Sequence, residues 1–333
     1  MSWRSSVLLV GRHDRLFGGN SNVDSRHPHE ERHLHVAVSG ASGLIGTMLG
    51  RTLSSRGHRV TALVRREPKA GEIRWDPAGM GLDPEALRGV EAVVHLAGEN
   101  IAGGRWTAAR KQLLLESRRT GTHLLAEAVA RATNGPRVML SASAIGYYGD
   151  RGDEPLTETS PPGVGFLPEV AVAWEKGLEP AKAAGVRTVS LRTGLLLTPD
   201  GGLLQRMLPP FRLGVGGPLG SGRQWMSWIA AEDLMAMFLH ALGRDDIRGP
   251  VNAVAPEPVR NADFTRTIGR VLHRPAVIPV PAFLLRLAFG EMADGAILAS
   301  ARVVPAVLQA SGFQFKYPKL EGALLHLLRK PPP

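Results

Sequence analysis

Three glycines constrain this chain more than anything else in it. Gly40, Gly43 and Gly46 stand between a short β-branched strand, from His35 to Ser39, and a helix whose Leu44, Met48 and Leu49 share an apolar face. A second strand, Val60 to Val64, follows after a helix stop near Gly57. Glycine at this spacing lets the chain bend sharply, lets backbone come close to a pyrophosphate with no Cβ in the way, and lets helix pack against strand. The helix N-terminus then offers free N–H groups and a partial positive charge to phosphate oxygens. A glycine triplet alone is also compatible with a ligand-free tight turn. Its place inside a β-α-β unit predicts one dinucleotide site.

The second strand ends in Arg65 and Arg66. A site for NAD shows an acidic residue here to accept from the ribose 2′-hydroxyl, whereas arginine suits a 2′-phosphate, so the expected cofactor is NADP(H). The other reading is a pair of solvated arginines. Alternation continues with strands at Val90–Leu96, Arg137–Ser143 and Arg187–Leu197 and helices at Thr107–Ala132 and Glu169–Ala184. This predicts an α/β fold, a Rossmann-type doubly wound parallel sheet. Residues 34–200 would form the NADP-binding domain. Residues 201–333 would form a substrate-side region interleaved with it, including a small helix-rich C-terminal domain from about residue 280. The stretch from Asp200 to Trp228 is dense in Gly and Pro and is expected to lack long regular elements, with helices to follow from about Ala231 and Asn261 and a strand at Val251–Val254.

Charge bears on the partner. The chain has 333 residues, a net charge of +10 and no cysteine, which excludes disulfides, thiolate metal sites and cysteine nucleophiles. Its basic residues are scattered, without a nucleic-acid-binding pattern, so a phosphate-bearing small ligand is expected and nucleic acid is not. No apolar run approaches the roughly 20 residues of a membrane span, so a soluble protein without a membrane partner is expected, in the cytoplasm, a location that the lack of cysteine permits. Residues 1–33, rich in Gly, Asn, Ser and His, read as a disordered extension. The histidines there lack a scaffold, and no metal site is expected.

Several strings carry a family resemblance. SGASGLIG (39–46), VVHLAGEN (93–100), SASAIGYYG (141–149) and LRTG (191–194) together resemble the extended short-chain dehydrogenase/reductase superfamily, which includes nucleotide-sugar epimerases. LAGENIAGGRWTAARK (96–111), GGPLGSGRQWMSWI (216–229) and ASGFQFKYPKLEGALLHLL (310–328) resemble an atypical epimerase-family subgroup with its own small C-terminal domain. The resemblance implies that Gly40, Ser42, Gly43, Leu44, Ile45 and Gly46 touch the pyrophosphate and that Arg65 and Arg66 touch the 2′-phosphate. By the same resemblance Leu96, Ala97 and Gly98 line the adenosine and ribose path.

Reactive members use a Tyr-x-x-x-Lys pair to exchange a proton with the substrate hydroxyl. This chain has none. Alignment on Glu175 puts Leu167 and Ala171 at the tyrosine and lysine positions and Arg118 at the usual asparagine. The serine survives as Ser143, with Ser141 nearer the cofactor. Tyr147 or Tyr148 could supply the acid instead, although Tyr148 also reads as a packing tyrosine. Candidates on the substrate side are Asn100, Arg105, Lys111, Arg118, Glu175, Trp225 and Ser227. Lys111 and Arg118 are expected on one helix face, turned to the cleft or to water. Glu175 is either a cleft carboxylate or an arginine's partner, and the acidic stretch from Asp153 to Glu158 is expected to be a solvated loop. The function implied is hydride transfer between NADP(H) and an unknown small molecule, as a reductase or epimerase. The alternative is a cofactor-dependent binding protein that has lost the chemistry. The sequence leaves oligomeric state open.

Overall fold

The computed structural model describes residues 33–79 and 81–329, so the expectation for the N-terminal extension lies outside the described residues. The first strand, β1 (His35–Ser39), leads through the glycine turn into α1 (Leu44–Ser55) and on to β2 (Arg59–Val64) and β3 (Glu72–Arg74). Next come β4 (Ala92–His95), α2 (Ala108–Arg131), β5 (Val138–Ala144), the short β6 (Pro155–Leu156), α3 (Phe166–Lys176), α4 (Glu179–Ala183) and β7 (Arg187–Thr193). Seven strands form one parallel sheet in the order β11-β7-β5-β4-β1-β2-β3, where β11 is Gly249–Ala253. The order reverses between β1 and β4, and a crevice at such a switch point, beyond the strands' carboxyl ends, is where α/β sheets bind ligands.

Strand residues alternate between the two faces. Val36, Val38, Val94, Leu140, Val189 and Leu191 join one core cluster with Leu49 and Leu53 of α1. Ala37, Val93 and Met139 join a second with Leu125 and Val129 of α2 and Ala181 of α4. Helices thus cover both faces, as an all-parallel sheet requires.

Two long predicted elements prove to be broken. The helix expected over Glu169–Ala184 is α3 followed by α4, interrupted at Gly177, where a Cβ would stand 2.8 Å from Cβ of Thr122. The strand expected to run to Leu197 stops at Thr193; Gly194 turns the chain, and β8 (Leu195–Leu197) pairs with β10 (Trp228–Ala230) instead. A correction also applies to the Gly/Pro-rich stretch, which contains an 11-residue helix, α5 (Gly202–Arg212). Leu204, Leu208 and Phe211 bury one side of it at helical spacing, and that burial outweighs the two prolines in its last turn.

The remaining elements are β9 (Trp225–Met226), α6 (Ala231–Gly243), β12 (Val259–Arg260), α7 (Asn261–Leu272), α8 (Ala282–Phe289), β13 (Arg302–Val303), α9 (Ala306–Ala310) and α10 (Leu320–Arg329). The C-terminal segment is bound into the rest of the fold. Strand β13 pairs with β6, and Leu320, Ala323, Leu324 and Leu327 of α10 share the core cluster of Phe264 and Ile268. No described helix is long and apolar enough to cross a membrane.

Candidate functional site

At the carboxyl end of β1 the chain turns at Gly40, whose φ is +69°, and a Cβ there would lie 2.9 Å from the backbone N of Ala97. At Gly46 a Cβ would sit 2.2 Å from the Gly40 carbonyl oxygen, so only glycine lets α1 start this close to the turn. Gly43 N–H donates to the Gly40 carbonyl (3.0 Å), and no side chain caps the helix at Gly43. The first N–H groups of α1 therefore open on the crevice beside exposed Ser42 and half-buried Leu44 and Ile45. The absent Cβ atoms and the uncapped helix end fit a pyrophosphate.

The opposite wall, Leu96, Ala97 and Gly98, is pinned to β1. Ser39 Oγ accepts from Leu96 N–H (3.2 Å) and lies 2.7 Å from His95 Nδ1, while His95 Nε2 is 3.0 Å from Thr122 Oγ1. Burial, reinforced by the nearby Arg118 charge, pushes the His95 imidazole down to about 3, so it is a neutral strut. Ser141, the register neighbour of His95, is buried and donates to the Ala142 carbonyl.

The two arginines after β2 divide. Arg66 forms a fork with Glu72 (2.7 and 2.6 Å), whose hydrogen bonds hold the Glu72 carboxyl down at about 2. Arg65 is exposed. Of the two arginines expected at the 2′-phosphate, Arg66 is thus engaged by Glu72, while Arg65 has no ion pair among the described residues.

Ser143, Arg192 and Asn252 lie side by side across β5, β7 and β11. Arg192, 3% exposed, is held by Glu175 through two 2.8 Å hydrogen bonds, and Ser143 Oγ donates to the same carboxylate at 2.7 Å. Glu175 is an arginine's partner. Ser143, expected at the substrate oxygen, directs its proton to Glu175 in this structure. Tyr148 has the surroundings of a packing tyrosine, its other reading. It is fully buried, its hydroxyl lies 2.7 Å from Asn252 Oδ1 and 3.0 Å from the Thr157 carbonyl, and it accepts from Arg192 at 3.0 Å. Burial raises its pKa. Tyr147 differs: it is half-buried, its ring lies 3.4 Å from the Arg192 guanidinium carbon, and its hydroxyl has no hydrogen bond among the described residues. Leu167 is half-buried on α3, and Ala171 is buried there.

Most of the expected substrate-side residues fasten the C-terminal segment or their own loop. Asn100 Oδ1 accepts from Ala102 N–H (2.9 Å), closing its own turn. Arg105 donates to the carbonyls of Leu287 and Ala288 at the end of α8. Lys111 pairs with Glu291 (2.8 Å). Trp225 Nε1 donates to Asp153 (3.1 Å), and its ring carries the guanidinium groups of Arg260 and Arg302. Ser227, 2% exposed, donates to the Ala301 carbonyl and accepts from Val303 N–H.

Arg118 lies two turns beyond Lys111 on the same side of α2, as the spacing predicts. It is buried, donating to the Leu114 and Glu99 carbonyls and lying over the Trp174 ring at 4.6 Å. Burial lowers its pKa to about 10. Glu158, expected in solvent, is buried and accepts from Asn252 and Val307 N–H. Arg192, Asn252 and His95 are absent from the sequence-derived candidates. Arg192 stood in the quoted LRTG string, and a charged residue inside an apolar strand was the available signal.

The NAD dependent epimerase/dehydratase family model matches residues 36–253, and a domain of unknown function (DUF1731) matches residues 280–327. Epimerase family protein Mb2239 of Mycobacterium bovis is 44% identical over 89% of this chain and 98% of its own length. Epimerase family protein SDR39U1 of Homo sapiens is 37% identical over 89% of this chain and 100% of its own. The crystal structure of human SDR39U1 (isoform 2) with NADPH superposes with a TM-score of 0.79 at 35% identity, covering 88% of this chain and 99% of that one. A nucleoside-diphosphate sugar epimerase from Corynebacterium glutamicum superposes at 0.73 with 40% identity, over 90% of this chain and 59% of that one. With its family model spanning the sheet, and relatives of this similarity aligned over nearly their whole length, the chain belongs to the NAD dependent epimerase/dehydratase family of the short-chain dehydrogenase/reductase superfamily.

Proposed function

We propose that this protein is an NADP(H)-dependent oxidoreductase or epimerase acting on a small molecule in the cytoplasm, with a proton-handling site that lacks Tyr-x-x-x-Lys. The observation that carries the cofactor assignment is the Gly40–Gly46 cradle together with Arg65, which follows β2 without an ion pair among the described residues, where a 2′-phosphate would be held. The NADPH in the human SDR39U1 crystal structure supports the same choice. Calorimetric titration tests it: NADPH should bind about tenfold or more tighter than NADH, from one charge-assisted arginine–phosphate contact, and Arg65→Glu should abolish the preference. Equal affinities in the unaltered protein would refute the assignment.

When bound, NADP(H) supplies or takes up the hydride. The chain must then place a donor at the substrate oxygen, and the hydroxyl of Tyr147, whose ring lies against the Arg192 cation and which has no hydrogen bond among the described residues, fits that role. Ser143 and Tyr148 act one step back, holding Glu175 and Arg192 in place. Tyr147→Phe should lower NADPH-dependent turnover at least about tenfold on any ketone, aldehyde or nucleotide sugar that is reduced, with NADPH affinity within about twofold. Unchanged turnover would remove Tyr147 from the chemistry.

Leu167 and Ala171 at the positions of the usual acid and its lysine favour a second reading, a cofactor-binding protein without turnover. Tight NADPH binding with no oxidation across a broad substrate panel would establish it.

A further inference from the structure

One face of the molecule is apolar and basic, with no acidic residue in the segments that build it. Segments 201–231 and 264–290 contain no Asp or Glu, yet they hold Arg206, Arg212, Arg223, Arg266, Arg270, Arg274 and Arg286. The two segments adjoin: Ile278 N–H donates to the Gly216 carbonyl, Val280 N–H to that of Pro218, and Arg274 Nε to that of Arg212. Large apolar side chains stand out from both. Leu213 is 78% exposed, Val277 75%, Phe283 65% and Leu287 71%. Phe283 and Leu287 are one helical turn apart on α8, so they and the exposed Leu284 form a stripe. Beside Val277 runs an open groove of about 620 Å³ lined by Arg266, Arg270, His273 and Arg274. Arg266 and Arg286 have carboxylate partners at 2.6 and 2.9 Å, and Arg270 reaches Glu321 only at 3.7 Å. Arg206, Arg212, Arg223 and Arg274 have no carboxylate partner among the described residues.

From this charge pattern we infer that the α8 face docks on an anionic phospholipid surface, with Phe283, Leu284 and Leu287 entering the headgroup–acyl boundary and the arginines taking lipid phosphates. Apolar projections within a cationic field match an interface that is negative outside and apolar beneath. A second copy fits less well, because the carboxylates at this face, Asp263, Asp294 and Glu321, already lie against its own arginines, so a twofold contact would set the remaining arginines against one another. Nucleic acid offers the arginines phosphates but gives exposed Phe, Leu and Val nothing to enter. That no described helix spans a membrane concerns crossing and says nothing of surface attachment.

The test is co-sedimentation of the full chain with vesicles of phosphatidylcholine alone or with about one-third phosphatidylglycerol. Binding is expected only to the anionic vesicles, weakened by salt. Phe283→Ser with Leu287→Ser should weaken it at least about tenfold, and Arg212→Gln with Arg274→Gln about tenfold. All four positions are exposed, so thermal stability and NADPH affinity should be retained, which separates this outcome from failure of the cofactor site. No retention on anionic vesicles would overturn the inference. So would retention insensitive to the Phe283/Leu287 pair, since that marks adsorption by charge alone, including any that duplex DNA competes away. A dimer in vesicle-free solution that the same pair dissolves would reassign the face to contact between copies.

Discussion

Replacing Glu175 by Gln should destabilise the protein by about 3 kcal/mol, at the lower end of the ~3–5 kcal/mol typical of breaking a buried ion pair. The low end applies because Arg192 keeps other partners: the Tyr148 hydroxyl at 3.0 Å, the Glu158 carbonyl at 3.3 Å, and the Tyr147 ring. The penalty stays large because Arg192 is 3% exposed and its carboxylate partner 16%, so water cannot replace the lost charge. With a specific unfolding entropy near 2.1 cal/mol/K per residue, about 300 ordered residues give roughly 0.6 kcal/mol/K, and Tm should fall by about 5 °C. Circular dichroism during heating and during urea titration measures it. A double-mutant cycle with Arg192→Met adds the decisive comparison. Removing both charges relieves the uncompensated cation, so Glu175→Met with Arg192→Met should be less destabilising than the sum of its single variants by at least about 1.5 kcal/mol. A loss under 1 kcal/mol for Glu175→Gln, or strict additivity in the cycle, would refute the reading of these two residues as a mutually dependent buried ion pair.

The neutral buried His95 makes stability depend on pH. Its folded value of about 3 lies below the ordinary 6.5, so the unfolded chain binds more protons between those limits. The contribution is therefore complete above pH 6.5 and is lost as pH falls toward 3, about 3 kcal/mol being gone by pH 4.5. His95→Gln should flatten that slope, and a wild-type-minus-variant stability difference that does not change from pH 7 to 4.5 would contradict it. At the cofactor turn, Gly46→Ala should weaken NADPH binding at least about a hundredfold, because its Cβ would meet the Gly40 carbonyl. Gly50→Ala on the same helix meets nothing within 4 Å and should leave affinity unchanged while stabilising by about 0.5–1 kcal/mol. Comparable titrations for the two variants would disprove the cradle.

The parts of the fold that were legible in the sequence are those set by local rules. The strand–glycine–helix unit, the long α2 and the starts of α6 and α7 follow from turn chemistry and apolar spacing over a few residues. Helix α5 was obscured because Pro209, Pro210 and flanking glycines signal a loop, while the burial of Leu204, Leu208 and Phe211 depends on what they pack against. The site divides similarly. The glycine cradle is read from spacing alone. Whether Ser143 offers its proton to a ligand, by contrast, is decided by Glu175, 32 residues away, and the role of Tyr148 by Asn252, 104 residues away. Residue type made Arg105, Lys111, Trp225 and Ser227 look like ligand contacts, and only the tertiary structure shows their hydrogen bonds spent within the chain.

That spending has a consequence for how the C-terminal segment can be exchanged. Arg105 and Ser227 grip its backbone carbonyls, Lys111 its Glu291, Asn252 the carbonyl of Val304 and Glu158 the N–H of Val307. Four of these five latches close on main-chain atoms, which nearly every sequence supplies, while Lys111, Glu232 and His240 read particular side chains, Glu291, His326 and Ser311. A hybrid carrying a relative's residues from 280 onward should therefore assemble wherever the backbone path is kept. The graft must also keep the side-chain contacts: a carboxylate opposite Lys111, His326 opposite Glu232, Ser311 opposite His240, and Leu320, Leu324 and Leu327 in the core. The segment behaves as a cassette: its mount is written in the larger part of the chain, and its exposed helix can be rewritten without disturbing that mount.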